Sequence, residues 1–92
     1  MSVVIIGGHE RMEAHYREIC KKYNCRAKIF TKMPVNLKEQ IGNADLMILF
    51  TSTASHKMVN CAVSESERNN IAITRSHSSS ASALKGILEQ YS

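Results

Sequence analysis

Histidine gathers with glycine or hydroxyl residues three times in this chain, each time directly after an apolar run. Gly7-Gly8-His9-Glu10-Arg11 follows the run at 3–6, and Thr51-Ser52-Thr53-Ala54-Ser55-His56-Lys57 follows that at 46–50. Arg75-Ser76-His77-Ser78-Ser79-Ser80 follows the run at 71–74. These residue types suit two chemistries. One is anion binding: Gly7 and Gly8 let a backbone approach a ligand, and Ser52, Thr53, Ser55, Ser78, Ser79 and Ser80 offer short donors where helices begin. Arg11, Lys57 and Arg75, with Lys32 after a further run, add positive charge that favours phosphate or carboxylate. The other is metal binding, with His9, His56 and His77 as three ligands from separate loops and Glu10 as an oxygen ligand or base.

Each feature also has a purely structural reading. Serines cap helices, glycines make tight turns, loop histidines hydrogen-bond or meet water, and surface cations are solvated. What raises the ligand reading is the coincidence of all of them at one predicted edge. His15 lies within a predicted helix and is left out of the site.

Several chemistries lack their residues. Gly7-Gly8 is followed by Arg11-Met12 where a dinucleotide-binding fingerprint needs further glycines, and no P-loop lysine follows. There is no GxSxG elbow for a serine nucleophile. Asp45, the only aspartate, precedes a strand and falls at the opposite edge of the sheet. That leaves Glu10 as the only acid near the site, too few for a Ser-His-acid triad or a receiver-type phosphoacceptor.

The elements that must hold these loops alternate strand and helix. Residues 3–6, and 44–50 after Asp45, are apolar and rich in β-branched or large side chains, as in strands buried on both faces. Residues 26–31 alternate charged and apolar, which fits a sheet edge. From 11 to 23, Met12, Tyr16, Ile19, Cys20 and Tyr23 form one helical stripe, and Asn24 can end the helix in a left-handed conformation. Asn36 with Glu39 predicts a capping box on a short helix closed by Gly42. Ser55 caps a helix reaching Asn69-Asn70, with Val59, Ala62, Val63 and Ser66 on one face. One of Ser78, Ser79 or Ser80 caps the last helix, whose inward stripe is Leu84, Ile87, Leu88 and Tyr91. The pattern βαβαβαβα with right-handed crossovers predicts a four-stranded parallel α/β sheet, order 2-1-3-4, with helices on both faces. The switch point then falls between the first and third strands.

With 92 residues the chain is expected to be a single α/β domain, residues 1–92, whose small core suits a homodimer. No apolar run nears the roughly 18 residues that cross a bilayer, and the start lacks a basic leader, so a cytoplasmic protein without membrane contact is expected. Cys20 and Cys61 fall on inward helix stripes, while Cys25 sits near a strand start, partly exposed. None has metal-type CxxC spacing, and all three are read as structural. The net charge of +4 allows an anionic partner, but the cations are dispersed and aromatics few, so nucleic acid is not indicated.

Three segments resemble a small bacterial family known as a domain of unknown function. They are Ile5-Ile6-Gly7-Gly8-His9, Phe50-Thr51-Ser52-Thr53-Ala54-Ser55-His56-Lys57-Met58 and Ser76-His77-Ser78-Ser79-Ser80. The resemblance spans the whole chain, with the middle segment most specific. It implies a stand-alone bacterial protein of Rossmann-like shape and brings no activity. The leading expectation is therefore a small-anion-binding protein. A metal-assisted enzyme using a divalent metal on His9, His56 and His77, and a protein-interaction module with no ligand, are the alternatives.

Overall fold

The alternation of apolar side chains along two five-residue strands divides the core between the two faces of one sheet. In β1 (Ser2–Ile6) and β3 (Leu46–Phe50), every residue from Val3 to Ile6 and from Leu46 to Phe50 is buried. This computed structural model describes residues 1–91. Val3 and Ile5 of β1, with Leu46, Ile48 and Phe50 of β3, face one helical layer, whereas Val4, Ile6, Met47 and Leu49 face the other. That is the side-chain period of two expected of a strand. β2 (Arg26–Phe30) and β4 (Ala72–Ser76) flank this pair, so the parallel order is β2-β1-β3-β4. The fold is α/β and Rossmann-like, with the switch between β1 and β3.

α1 (Glu13–Lys22) and α4 (Ala81–Tyr91) cover the first face through Tyr16, Ile19, Cys20, Leu84 and Leu88. α2 (Leu37–Ile41) and α3 (His56–Asn69) cover the second through Leu37, Ile41, Met58 and Ala62. Among the described residues, no helix is long and apolar enough to cross a membrane.

The local signals are met in part. Asn24 (φ 57°) and Asn70 (φ 53°) end α1 and α3 in the left-handed region. Ser55 Oγ accepts from the Met58 N–H, and Ser80 Oγ from the Ala83 N–H, as caps of α3 and α4. Four details differ. Residues Glu10–Met12 form a 3-10 turn before α1 rather than its first turn. Asn36 makes no capping box; its Oδ1 accepts from Gln40 Nε2 instead. Ile71 lies outside β4 because its N–H is bonded to the Ser66 carbonyl at 2.9 Å, within the C-cap of α3. Tyr91 is 40% exposed, with its hydroxyl 3.0 Å from Thr74 Oγ1, so it borders the core rather than filling it.

Candidate functional site

β1, β3 and β4 all end at the same edge, and their loops are tied together by hydrogen bonds. The chain leaves β1 through Gly7 (φ 98°) and Gly8 (φ 90°), both buried. The Gly7 N–H donates to the Phe30 carbonyl at 2.9 Å, continuing the pairing with β2. The Gly8 N–H donates to Thr53 Oγ1 at 2.7 Å, joining the β1 loop to the β3 loop. Thr53 Oγ1 lies 3.0 Å from Ser79 Oγ and 3.2 Å from the Phe50 carbonyl, so it also reaches the β4 loop. A threonine has one hydroxyl proton. Most groups are satisfied when Thr53 donates to Phe50 and accepts from Gly8 and Ser79.

Tyr16 provides the second tie. Burial of its ring against Phe50, with centroids 5.4 Å apart, places its hydroxyl under the loops. There it donates to the Ser79 carbonyl at 2.6 Å and accepts from the His9 N–H at 3.4 Å. A buried tyrosine hydroxyl requires such partners. The sequence reading treats Tyr16 only as a core residue. The available signal was a hydroxyl-bearing aromatic on the inward stripe one turn from the loop edge. Ser52 Oγ donates to the His77 carbonyl at 2.6 Å, and Ser78 Oγ to Ser80 Oγ at 3.0 Å.

Residues 2–91 fit the model of a family described as an uncharacterized protein conserved in bacteria, DUF2325. The chain belongs to this family. No curated protein and no solved structure matches it.

The predicted site residues fall into two groups. Gly7, Gly8, Ser52, Thr53, Ser78, Ser79 and Ser80 build the platform. A Cβ on Gly7 would stand 2.8 Å from the Phe50 carbonyl oxygen, and one on Gly8 2.7 Å from Tyr16 Cε2. The space those glycines open is thus filled by the protein itself. His9, Arg11, His56, Lys57, Arg75 and His77 form the second group. All six are exposed, and their side chains make no hydrogen bond or ion pair among the described residues. Ser55 belongs to both groups, since it is exposed yet caps α3.

The acid and the extra cation pair with each other. Glu10 Oε1 lies 3.1 Å from Lys32 Nζ, on the surface. Among the described residues, no group of three or more histidines, cysteines and acids is placed to hold a metal ion, so His9, His56 and His77 share an edge without forming a ligand cluster. Asp45 is at the far edge, as expected, accepting from the Ser2 N–H at 2.7 Å. A groove of about 430 Å³ also lies at that far end, bordered by Val4, Arg26, Lys28, Ile41 and Ala44. It arises beside the five-residue α2, which spans only about 7.5 Å against roughly 16 Å of strand.

Proposed function

We propose that the protein binds a small anion bearing phosphate or carboxylate at the carboxyl edge of its sheet. The observation that carries this reading is the set of unpaired cations, Arg11, Lys57 and Arg75, standing exposed beside loops held rigid by Thr53, Tyr16 and Ser79. Positive charge left unpaired at one edge attracts charge of the opposite sign. Lys57 lies in the first turn of α3, where the backbone N–H groups and the dipole act in the same sense. Arg75 sits one residue before the end of the adjacent strand, paired in register with Leu49. His9, His56 and His77 border this edge as exposed imidazoles able to hydrogen-bond a ligand.

The serines have a different part from the one their composition suggests. Ser52, Ser78, Ser79 and Ser80 fix the loops, and the ligand meets cations and imidazoles. Calorimetric titration with inorganic phosphate and with pyrophosphate tests the reading. A charge-assisted bond contributes about 1.5–3 kcal/mol, so Lys57→Ala and Arg75→Ala should each weaken a bound anion roughly 10- to 100-fold. Equal affinity in wild type and both variants would overturn it.

A further inference from the structure

The end of α1 brings two cysteines together. Asn24 is left-handed, its N–H donates to the Lys21 carbonyl at 3.0 Å, and the Cys25 N–H donates to the Cys20 carbonyl at 2.9 Å. These two bonds define a Schellman motif in which Cys20 and Cys25 hold the two positions whose side chains frequently pack together across the helix end. With standard backbone dimensions, the bond from Cys25 to Cys20 limits their Cα separation to about 6.8 Å at most. Disulfides span about 4.4–6.8 Å between Cα atoms.

Further observations put both residues against one buried cluster. Cys20 is fully buried in the cluster between the sheet, α1 and α4, and half-buried Cys25 packs against that cluster. The charge of Cys25 also helps raise the Cys20 thiol, after burial, to about 11. Cys25 Sγ lies 3.4 Å from the Tyr23 carbonyl, the contact expected of a reduced thiol.

We infer that Cys20 and Cys25 form a dithiol that closes reversibly to an intrachain disulfide. Oxidised glutathione, a low-molecular-weight disulfide, is the co-reactant. The more accessible Cys25 thiolate attacks one glutathione sulfur, forming a mixed disulfide as the glutathione S–S bond breaks and one thiolate leaves. Cys20 then gives up its proton and attacks Cys25 Sγ, and the second glutathione leaves. The protein loses two electrons and two protons, and one glutathione disulfide becomes two thiols. The buried, high-lying Cys20 thiol makes the second step slow and favours alkaline pH.

Trypsin supplies a direct readout, because cleavage after Arg17, Lys21, Lys22 and Arg26 puts the two cysteines on different peptides. The folded protein is equilibrated with oxidised glutathione, alkylated and digested. The expected product is peptide 18–21 disulfide-linked to peptide 23–26, in a protein lighter by two hydrogens and restored by a thiol reductant. Cys61→Ser should keep the link, and Cys25→Ser should abolish it. The inference is overturned if Cys25 stays glutathionylated beside an alkylatable Cys20, or if oxidised material is joined through Cys61.

Discussion

Replacing Thr53 by Val should damage this protein more than its half-exposed position suggests. Valine matches threonine in shape, so the change removes a hydroxyl and little else. That hydroxyl accepts from the Gly8 N–H at 2.7 Å and lies 3.0 Å from the buried Ser79 Oγ, joining all three loops. Each polar group stranded away from water costs about 1–3 kcal/mol. Ser79 can rotate and recover part of its share, whereas the Gly8 N–H is fixed by backbone geometry. The expected loss is about 2–4 kcal/mol, a large part of the roughly 5–14 kcal/mol that keeps a chain of this size folded. At about 4–8 °C per kcal/mol for such a domain, the midpoint of thermal unfolding should fall by roughly 8–32 °C. Far-ultraviolet circular dichroism gives the midpoint, and denaturant titration gives the free energy. Thr53→Ser keeps the hydroxyl and removes one methyl, so it should cost about 1 kcal/mol or less. A Thr53→Val protein melting within about 3 °C of wild type would refute the idea that this hydroxyl ties the loops.

Three other perturbations follow from the same geometry. Gly8→Ala drives a Cβ to 2.7 Å from Tyr16 Cε2 at a φ of 90°, and should cost about 3 kcal/mol or more in denaturant titration. Ser55→Ala removes the cap on the Met58 N–H and should lower the unfolding free energy by about 1 kcal/mol, moving the denaturant midpoint down with the slope unchanged. The third concerns pH. Burial, reinforced by Cys25 and opposed by Arg17, lifts the Cys20 thiol from 9.0 to about 11. Below pH 9 it carries its proton in both states and contributes no pH dependence. Between about pH 9 and 11 the unfolded chain releases that proton while the folded protein retains it, so stability falls as pH rises. The full effect is about 3 kcal/mol. Stability curves of wild type and Cys20→Ala should therefore converge across this window, and parallel curves would contradict the assignment.

The sheet was legible because its two central strands are buried on both faces, and only an uninterrupted apolar run fits such a place. Val3 to Ile6 and Leu46 to Phe50 admit few other readings, and crossover handedness supplies the strand order. The ends were less legible. Ile71 looks like the start of a strand, yet its N–H closes α3, a competition between cap and ladder that apolar character does not reveal. Asn36 meets Gln40 rather than the backbone, because an Asx side chain accepts whichever donor the turn brings near. In the candidate site, the sequence identified the three loops and their charged residues but not the division of labour among them. Whether a serine faces ligand or a neighbouring loop depends on contacts between segments far apart in the chain, such as Thr53 with Ser79. Tyr16 shows the same limit: its core role follows from helical spacing, and its hydroxyl partners follow only from the packed loops.

Native mass spectrometry tests the central claim most directly, comparing wild-type protein with a Lys57→Ala/Arg75→Ala variant, both purified without chelator and then exposed to pyrophosphate. Exposed cations carry little of the fold, so the unfolding free energies of the two proteins should agree within about 1 kcal/mol. The account predicts a pyrophosphate adduct on the wild type at one per chain, and its loss or strong reduction in the double variant. Equal adducts on both proteins, or none on the wild type across the titration, would contradict an anion site built on these residues.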